Sequence, residues 1–408
     1  MRVLLLNHNL RERGTWFRAW QIARELVRRG HEATLWTAAP HHYYRAAKET
    51  REGVRIVETP SWGPWVGRDD GWGPLDVVWR AFGVLREPFD LCYAFAHPPN
   101  VAVPAWLARR VRRRRLIYDW CDLYAGGILD RRAEMRRRGL LERPEPPLQR
   151  LAERLERPME RAMPRLAGGR VTVISRLLRD EAVGLGCPSD GVLLLPNGAD
   201  LDIISPRDAG ACRRELGLPV DGVWLAYVAN YHPDQTLLLE AVARAAEHTP
   251  DLRLLTAGPP FHSGTVERLG LRGRLVELGR VPVERIEAVL GAADVLALPL
   301  ADHHFNRSRM PYKFTQYLAA GRPVAACRVG DLADWFDAPD VLDTPDTIGI
   351  ASAPDAVSFG DALARLLHPD TDRAAMGRAA RRLAEGPLSW PVQVDRLLTW
   401  LGDEGATP

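Results

Sequence analysis

Lysine is nearly missing from this 408-residue chain. Of its 55 basic residues only two are lysine, Lys48 and Lys313, and the rest are arginine. Arginine has taken over wherever a generic positive charge suffices, so a position that keeps lysine draws notice. Long apolar runs are missing too. No segment reaches the roughly 18 apolar residues of a membrane span. The VLLL that follows Met1-Arg2 is too short for the core of a signal peptide and has no cleavage pattern. These two absences set the expectation of a cytoplasmic protein. The five cysteines, Cys92, Cys121, Cys187, Cys212 and Cys327, include no CxxC pair. That spacing excludes the usual zinc cluster or disulfide framework and fits a reducing compartment. No metal is expected. A net charge of +3 gives no ground for nucleic-acid binding. The turn after the first strand holds one glycine, Gly14, where a dinucleotide fingerprint needs GxGxxG.

What is present is ordinary in bulk and uneven in detail. An apolar fraction of 46% and a charged fraction of 26% are those of a globular protein. The length exceeds one typical core, so two domains are expected. Tryptophan is abundant, with 13 residues. Trp62, Trp65 and Trp72 fall in Gly/Pro-rich text, which admits both a binding loop and a locally packed loop.

The chain alternates strand and helix signals. Arg2–Leu6, Glu32–Thr37 and Val54–Glu58 read as strands, with a helix over Trp16–Arg29 that Thr15 would cap. A helix over Leu75–Leu85 and a strand over Phe89–Phe95 follow. The next helix, Val101–Arg115, ends in WLARRVRRRR, and Leu116–Asp119 is a strand. This rhythm predicts βαβ units and parallel sheets. In such sheets ligands sit beyond the C-terminal strand ends, which is where His97, Asp119 and Asp122 fall. Residues 131–165 read as helical segments broken at prolines, including Pro158 and Pro164. The Arg112–Arg115 and Arg131–Arg138 runs leave a peripheral membrane contact open but not favoured, because nothing apolar accompanies the charge strongly enough. Polar text near residue 205 marks a linker, after which the rhythm restarts.

The stretch Asn306–Gly330, NRSRMPYKFTQYLAAGRPVAACRVG, organises the second half. It predicts a helix over Tyr312–Ala320 with Pro311 at its start and Gly321 at its C′ position. A helix N-terminus facing Arg307, Arg309 and Lys313 is a site for an anion, phosphate above all.

Four segments in order carry a resemblance to a known family: Val171–Pro206, Leu275–Leu300, KFTQYLAAGRPVAA at Lys313–Ala326, and Ser389-Trp390 before the last helix. Together they resemble the retaining glycosyltransferases of family 4. The resemblance implies the GT-B fold, two Rossmann-like domains facing a central cleft. Residues 1–205 would bind the acceptor and 206–387 the nucleotide-sugar, with a terminal helix at about 388–402 crossing back to the first domain. It implies transfer of a hexose-type sugar from a nucleoside diphosphate-sugar to a hydroxyl-bearing acceptor, without metal or other cofactor. Carried over residue by residue, it puts Lys313 and Arg309 on the diphosphate, Gln316 on the ribose, and His97 and Asp122 on the acceptor or sugar. Donor contacts would also come from Gly14, Asn230, Arg280, Val281, Ser308, Pro311 and Tyr312. The sequence departs from the family in two places. Ser308 and Gln316 occupy positions where two glutamates are usual. The NYHPDQ loop after the first strand of the second domain lacks the usual Arg and Lys, a charge that Arg307, Arg309 and Lys313 would supply. Two alternatives accompany this reading: a non-catalytic nucleotide-sugar-binding partner subunit, and a GT-B sugar-nucleotide epimerase.

Overall fold

The computed structural model describes residues 1–39, 44–61, 71–137, 149–230, 233–337 and 347–402. The chain divides into two compact units. One comprises Met1–Pro196 together with the segment from Val394 onward, and the other comprises Asn197–Gln393.

The first unit is built on β1 (Arg2–Leu10), β2 (Glu32–Ala38), β3 (Ala47–Arg51), β4 (Val54–Thr59), β5 (Leu91–Phe95), β6 (Arg115–Trp120), β7 (Val171–Val173) and β8 (Val192–Leu194). They form one sheet in the order β3-β4-β2-β1-β5-β6-β7-β8. All pairs are parallel except β3 with β4. Strand β3 had no signature in the sequence, because all five of its residues are exposed and show no apolar alternation. β1 runs on through Asn7, His8 and Asn9 to Leu10, past its apolar core. The strands are apolar on successive residues, as expected where helices cover both faces.

The helices are α1 (Trp16–Arg28), α2 (Pro74–Arg86), α3 (Pro99–Arg110), α4 (Leu129–Arg137), α5 (Gln149–Leu166) and α6 (Arg176–Gly184). Helix α3 stops before the arginine run, and Arg115 already belongs to β6. Helix α5 passes through Pro158 and Pro164 without a break. Ala152, Glu156, Glu160 and Met163 bury one of its faces, and that burial holds the helix where two backbone donors are missing. Trp16 and Trp20 stack at 5.5 Å, and Trp36 meets Trp79 edge-on at 5.2 Å. Trp16, Trp20 and Trp36 are core residues, and Trp79 is half-buried. Trp62 and Trp65 lie outside the described residues, while Trp72 donates its indole N–H to Glu156 at 2.9 Å.

The second unit repeats the plan with β9 (Val223–Val228), β10 (Leu252–Ala257), β11 (Leu275–Glu277), β12 (Val295–Leu298), β13 (Val324–Cys327) and β14 (Gly349–Ser352). The sheet is wholly parallel, in the order β11-β10-β9-β12-β13-β14. Its helices are α7 (Ala209–Glu215), α8 (Gln235–His248), α9 (Ser263–Arg268), α10 (Val283–Gly291), α11 (His304–Arg307) and α12 (Tyr312–Ala319), then Ala356–Leu367 and Arg373–Glu385. The terminal helix Trp390–Leu401 starts in this unit and ends in the first. Strand order reverses between β1 and its two neighbours in the first sheet, and between β9 and its neighbours in the second. The C-terminal ends of β1, β5, β9 and β12 are therefore where a crevice opens in each sheet.

Candidate active site

Each sheet gathers polar residues at that crevice, and the two gatherings differ in kind. In the first unit they are bonded to one another in buried clusters. Arg80 and Asp76, one turn apart on α2, form a buried ion pair at 2.6 Å. Arg80 also donates to the Asn7 carbonyl at 2.8 Å and to Thr59 Oγ1 at 2.9 Å. Asn100 donates to the other Asp76 oxygen at 2.8 Å. Asp119 is not available to a ligand. It is fully buried and takes a two-pronged bond from Arg18, at 2.8 and 2.9 Å, with Thr172 Oγ1 donating at 2.5 Å. Arg18 spends another N–H on the Leu195 carbonyl, tying α1 to the end of β8.

Gly14 lies in the β1–α1 turn at φ 52°, and a Cβ there would meet Asn9 Oδ1 at 2.4 Å. That oxygen accepts the Thr15 amide and hydroxyl, both at 2.7 Å. Thr15 sits at the cap position of α1 but makes no side-chain cap bond there; its hydroxyl also donates to Asn7 Oδ1 at 2.6 Å. Glycine is needed in this turn both for the left-handed backbone and for the close approach.

His97 follows β5 and is fully buried, with neither ring nitrogen hydrogen-bonded among the described residues. Its ring stands perpendicular to Tyr124 at 4.6 Å. The Tyr124 hydroxyl lies 3.4 Å from His8 Nε2. Burial drives both histidines down, His97 to about 3 with help from His8, and His8 to about 4. Both are neutral near pH 7, and each then offers one donor and one acceptor. Asp122 is half-buried in the turn after β6 that also carries Tyr124. This turn kinks at Gly126, φ 85°, and is gripped from α5. Glu160 accepts the amides of Tyr124 at 2.9 Å and Ala125 at 2.7 Å, and the Trp120 indole N–H at 2.9 Å. Burial pushes the Glu160 carboxyl up to about 7 despite those three donors. Tyr124 and Glu160 were not legible as site residues, because their roles depend on contacts across 27 to 35 residues of chain or more.

In the second unit the positive charge is free. Pro311 opens α12, whose first turn carries Tyr312 and Lys313, and Gly321 closes it at φ 64°. The Lys313 ammonium lies over the Tyr227 ring at 4.5 Å. The side chain is only half-buried as a whole, yet its charged end is enclosed. Burial, then the charge of Arg309, lower it to about 7, against the pull of Asp234. Arg309 lies over the Phe305 ring at 4.9 Å and donates to Asn306 Oδ1 at 3.2 Å. Neither cation forms an ion pair among the described residues. Arg307 differs: it is forked onto Asp302 at 2.6 and 2.8 Å in an exposed pair, and so does not belong to the free set. Ser308 is fully buried, and its hydroxyl donates to the Phe305 carbonyl at 2.8 Å. Gln316 and Tyr312 are half-buried on α12, Asn230 is exposed after β9, and Arg280 and Val281 lie exposed and half-buried beyond β11. His232 falls outside the described residues.

Two residues missed in the sequence hold this arrangement. Asn306 is fully buried and donates to Asp234 at 3.0 Å and to the Ala301 carbonyl at 2.8 Å. His303 caps α11 by accepting the Asn306 amide at 3.2 Å. The available signal was only an asparagine set beside the basic residues of NRSR. Among the described residues no three His, Cys, Asp or Glu side chains gather in a metal-holding group.

Comparison with known proteins decides what this pair of crevices belongs to. Residues 13–198 match the glycosyl transferase 4-like domain, and residues 222–369 match the glycosyl transferases group 1 model. The D-inositol 3-phosphate glycosyltransferase of Saccharomonospora viridis is 30% identical, with 93% of this chain and 86% of that one covered. The chain belongs to glycosyltransferase family 4. A second relative, the D-inositol 3-phosphate glycosyltransferase of Corynebacterium diphtheriae, is 26% identical over 94% of this chain and 88% of its own. Solved structures share the GT-B fold. Sucrose-phosphate synthase (tll1590) from Thermosynechococcus elongatus superposes with a TM-score of 0.70 at 17% identity, covering 98% of each chain. The Anabaena Alr3699/HepE protein in complex with UDP-glucose gives 0.66 at 16% identity, over 98% of this chain and 99% of that one. As a member of family 4 the protein is a retaining glycosyltransferase that uses a nucleotide-sugar donor. No described helix is long and apolar enough to cross a membrane.

Proposed function

We propose that the second unit holds the donor through the N-terminal turn of α12 and that the first unit holds a hydroxyl-bearing acceptor near His97. The observation that carries this reading is the free pair Lys313 and Arg309 beside the first amides of α12. A donor diphosphate brings the negative charge these groups lack. Gln316, one turn further on, offers a donor and an acceptor to a ribose diol. Asn230, Arg280, Val281, Ser308, Pro311 and Tyr312 complete the set assigned to the donor, and Asp122 accompanies His97. In the reaction the bond from the anomeric carbon to the diphosphate oxygen breaks, and the acceptor oxygen bonds that carbon on the same face. The acceptor proton passes to the departing diphosphate. Lys313, Arg309 and the α12 amides stabilise the charge that develops on it. Neutral His97 orients the acceptor hydroxyl without placing a charge beside it.

The relatives named for D-inositol 3-phosphate make a phosphorylated cyclitol the first acceptor class to try. The test is a panel of UDP-, GDP- and dTDP-hexoses, read by thermal stabilisation and by transfer to inositol phosphates, free sugars and lipid-linked sugars. One donor should stabilise the wild type and not the Lys313→Ala/Arg309→Ala variant. Equal stabilisation of both proteins would overturn the donor assignment.

A further inference from the structure

Helix α2 is inside out. Its polar residues Asp76 and Arg80 are buried, bonded to Thr59, Asn7 and Asn100 at the strand ends. Its exposed positions before Arg86 are all apolar: Pro74, Val78, Phe82 and Leu85. Phe82 is 57% exposed and Val78 is 51% exposed. Helix α3 packs beside α2 and exposes Val103, Trp106 and then Val111, with Trp106 at 49%. At the C-terminal ends of the two helices stand Arg86, Arg109, Arg110 and Arg113, all exposed. None of the four forms an ion pair among the described residues. No carboxylate is exposed on 74–86 or 99–115. The arginine run therefore does have apolar companions, which the fold supplies from a second helix.

We propose that this α2–α3 face docks on an anionic lipid surface. An apolar face of this extent on a soluble unit marks an interaction site. Its rim selects among occupants. A second copy of this chain, related by a two-fold axis, would set the arginines of one rim against those of the other. An anionic bilayer surface supplies the missing countercharge, accepts Phe82 and Trp106 at the headgroup boundary, and lets the arginine stems lie along the apolar surface. The face is distinct from the crevice at the strand ends, so docking leaves the proposed acceptor site open.

The experiment is flotation of the full-length protein with vesicles of phosphatidylcholine alone and of phosphatidylcholine with about one-third phosphatidylglycerol, at low and high salt. Binding should rise about tenfold or more with the anionic lipid and fall as salt is raised. Phe82→Ser/Trp106→Ser should abolish binding while leaving the melting temperature near that of the wild type. Arg110→Glu/Arg113→Glu should remove the preference for anionic lipid. Absence of vesicle binding, or binding indifferent to both charge and salt, would overturn the proposal. So would a wild type that sediments as a dimer and becomes monomeric in Phe82→Ser/Trp106→Ser, since the face would then be an interface between copies.

Discussion

The two crevices hold similar numbers of charged groups and treat them in opposite ways. At the end of the first sheet two buried arginines are each matched to a buried carboxylate, Arg18 to Asp119 and Arg80 to Asp76. What remains outside those two ion pairs is two neutral histidines, the Tyr124 hydroxyl, the half-buried Asp122 carboxyl and backbone. At the end of the second sheet Lys313 and Arg309 rest on aromatic rings, and Asp234, whose charge acts on Lys313, is bonded to Asn306. Burying charge in pairs makes a rigid surface, and leaving charge unpaired makes a receptor for an anion. The contrast is what the proposed division of labour, acceptor in the first unit and donor in the second, rests on.

The largest expected effect breaks the first half of that contrast. Asp119→Ala leaves Arg18 buried without its partner, and should cost about 3–5 kcal/mol of stability in urea unfolding. A loss under about 1 kcal/mol would mean the pair is not the anchor described here. Next comes the second half. Lys313→Ala should weaken binding of the preferred nucleoside diphosphate about 10- to 100-fold by calorimetry. The same residue predicts a pH dependence. Free Lys313 sits at about 7, and a bound diphosphate favours its ammonium form. The complex therefore holds a proton that the free protein has lost. Wild-type affinity should fall by up to about tenfold per pH unit as pH rises above 7, and Lys313→Ala should show a flat profile there.

A smaller effect tests the turn that carries Tyr124. The folded-state value of Glu160 is raised to about 7, so its contribution is fully present below its unfolded value and is lost as pH rises through 7. Relative to Glu160→Gln, the wild type should lose up to about 3 kcal/mol of stability between pH 4.5 and 7.5. Parallel stability curves for the two proteins would show that the carboxyl is not raised in the folded protein. The smallest effect is for Arg307→Ala. Its exposed pair with Asp302 takes it out of the donor set, and donor affinity should change by no more than about twofold.

The sequence revealed repetition and local chemistry, and hid whatever depends on distant partners. The βαβ rhythm was legible because buried parallel strands are short apolar runs between amphipathic helices. So was α12, with Pro311 before it and Gly321 after it. Lys313 was conspicuous because the rest of the chain avoids lysine. Asp119, by contrast, looked like a ligand-facing carboxylate at a strand end. Its partner Arg18 is 101 residues away, and no local pattern announces such a pair. Helix α5 was hidden by its prolines, whose cost is offset by burial of a face spaced at four residues. The inversion of α2 was hidden for a related reason. Asp76 and Arg80 at i and i+4 look like a solvent-facing pair until the strand ends that receive them are known.

The last helix gives the first unit a late completion date. Trp400 donates its indole N–H to the Asp190 carbonyl, Arg396 and Arg115 bond the Leu194 and Leu401 carbonyls, and Arg170 lies over the Trp400 ring. The β6–β8 edge of the first sheet is thus finished by residues translated after the whole of the second unit. During synthesis the second unit has all its own elements first, and the older unit waits with that edge uncovered. Loss of Val394–Leu401 would accordingly wound the part of the protein made first, and leave the later part intact.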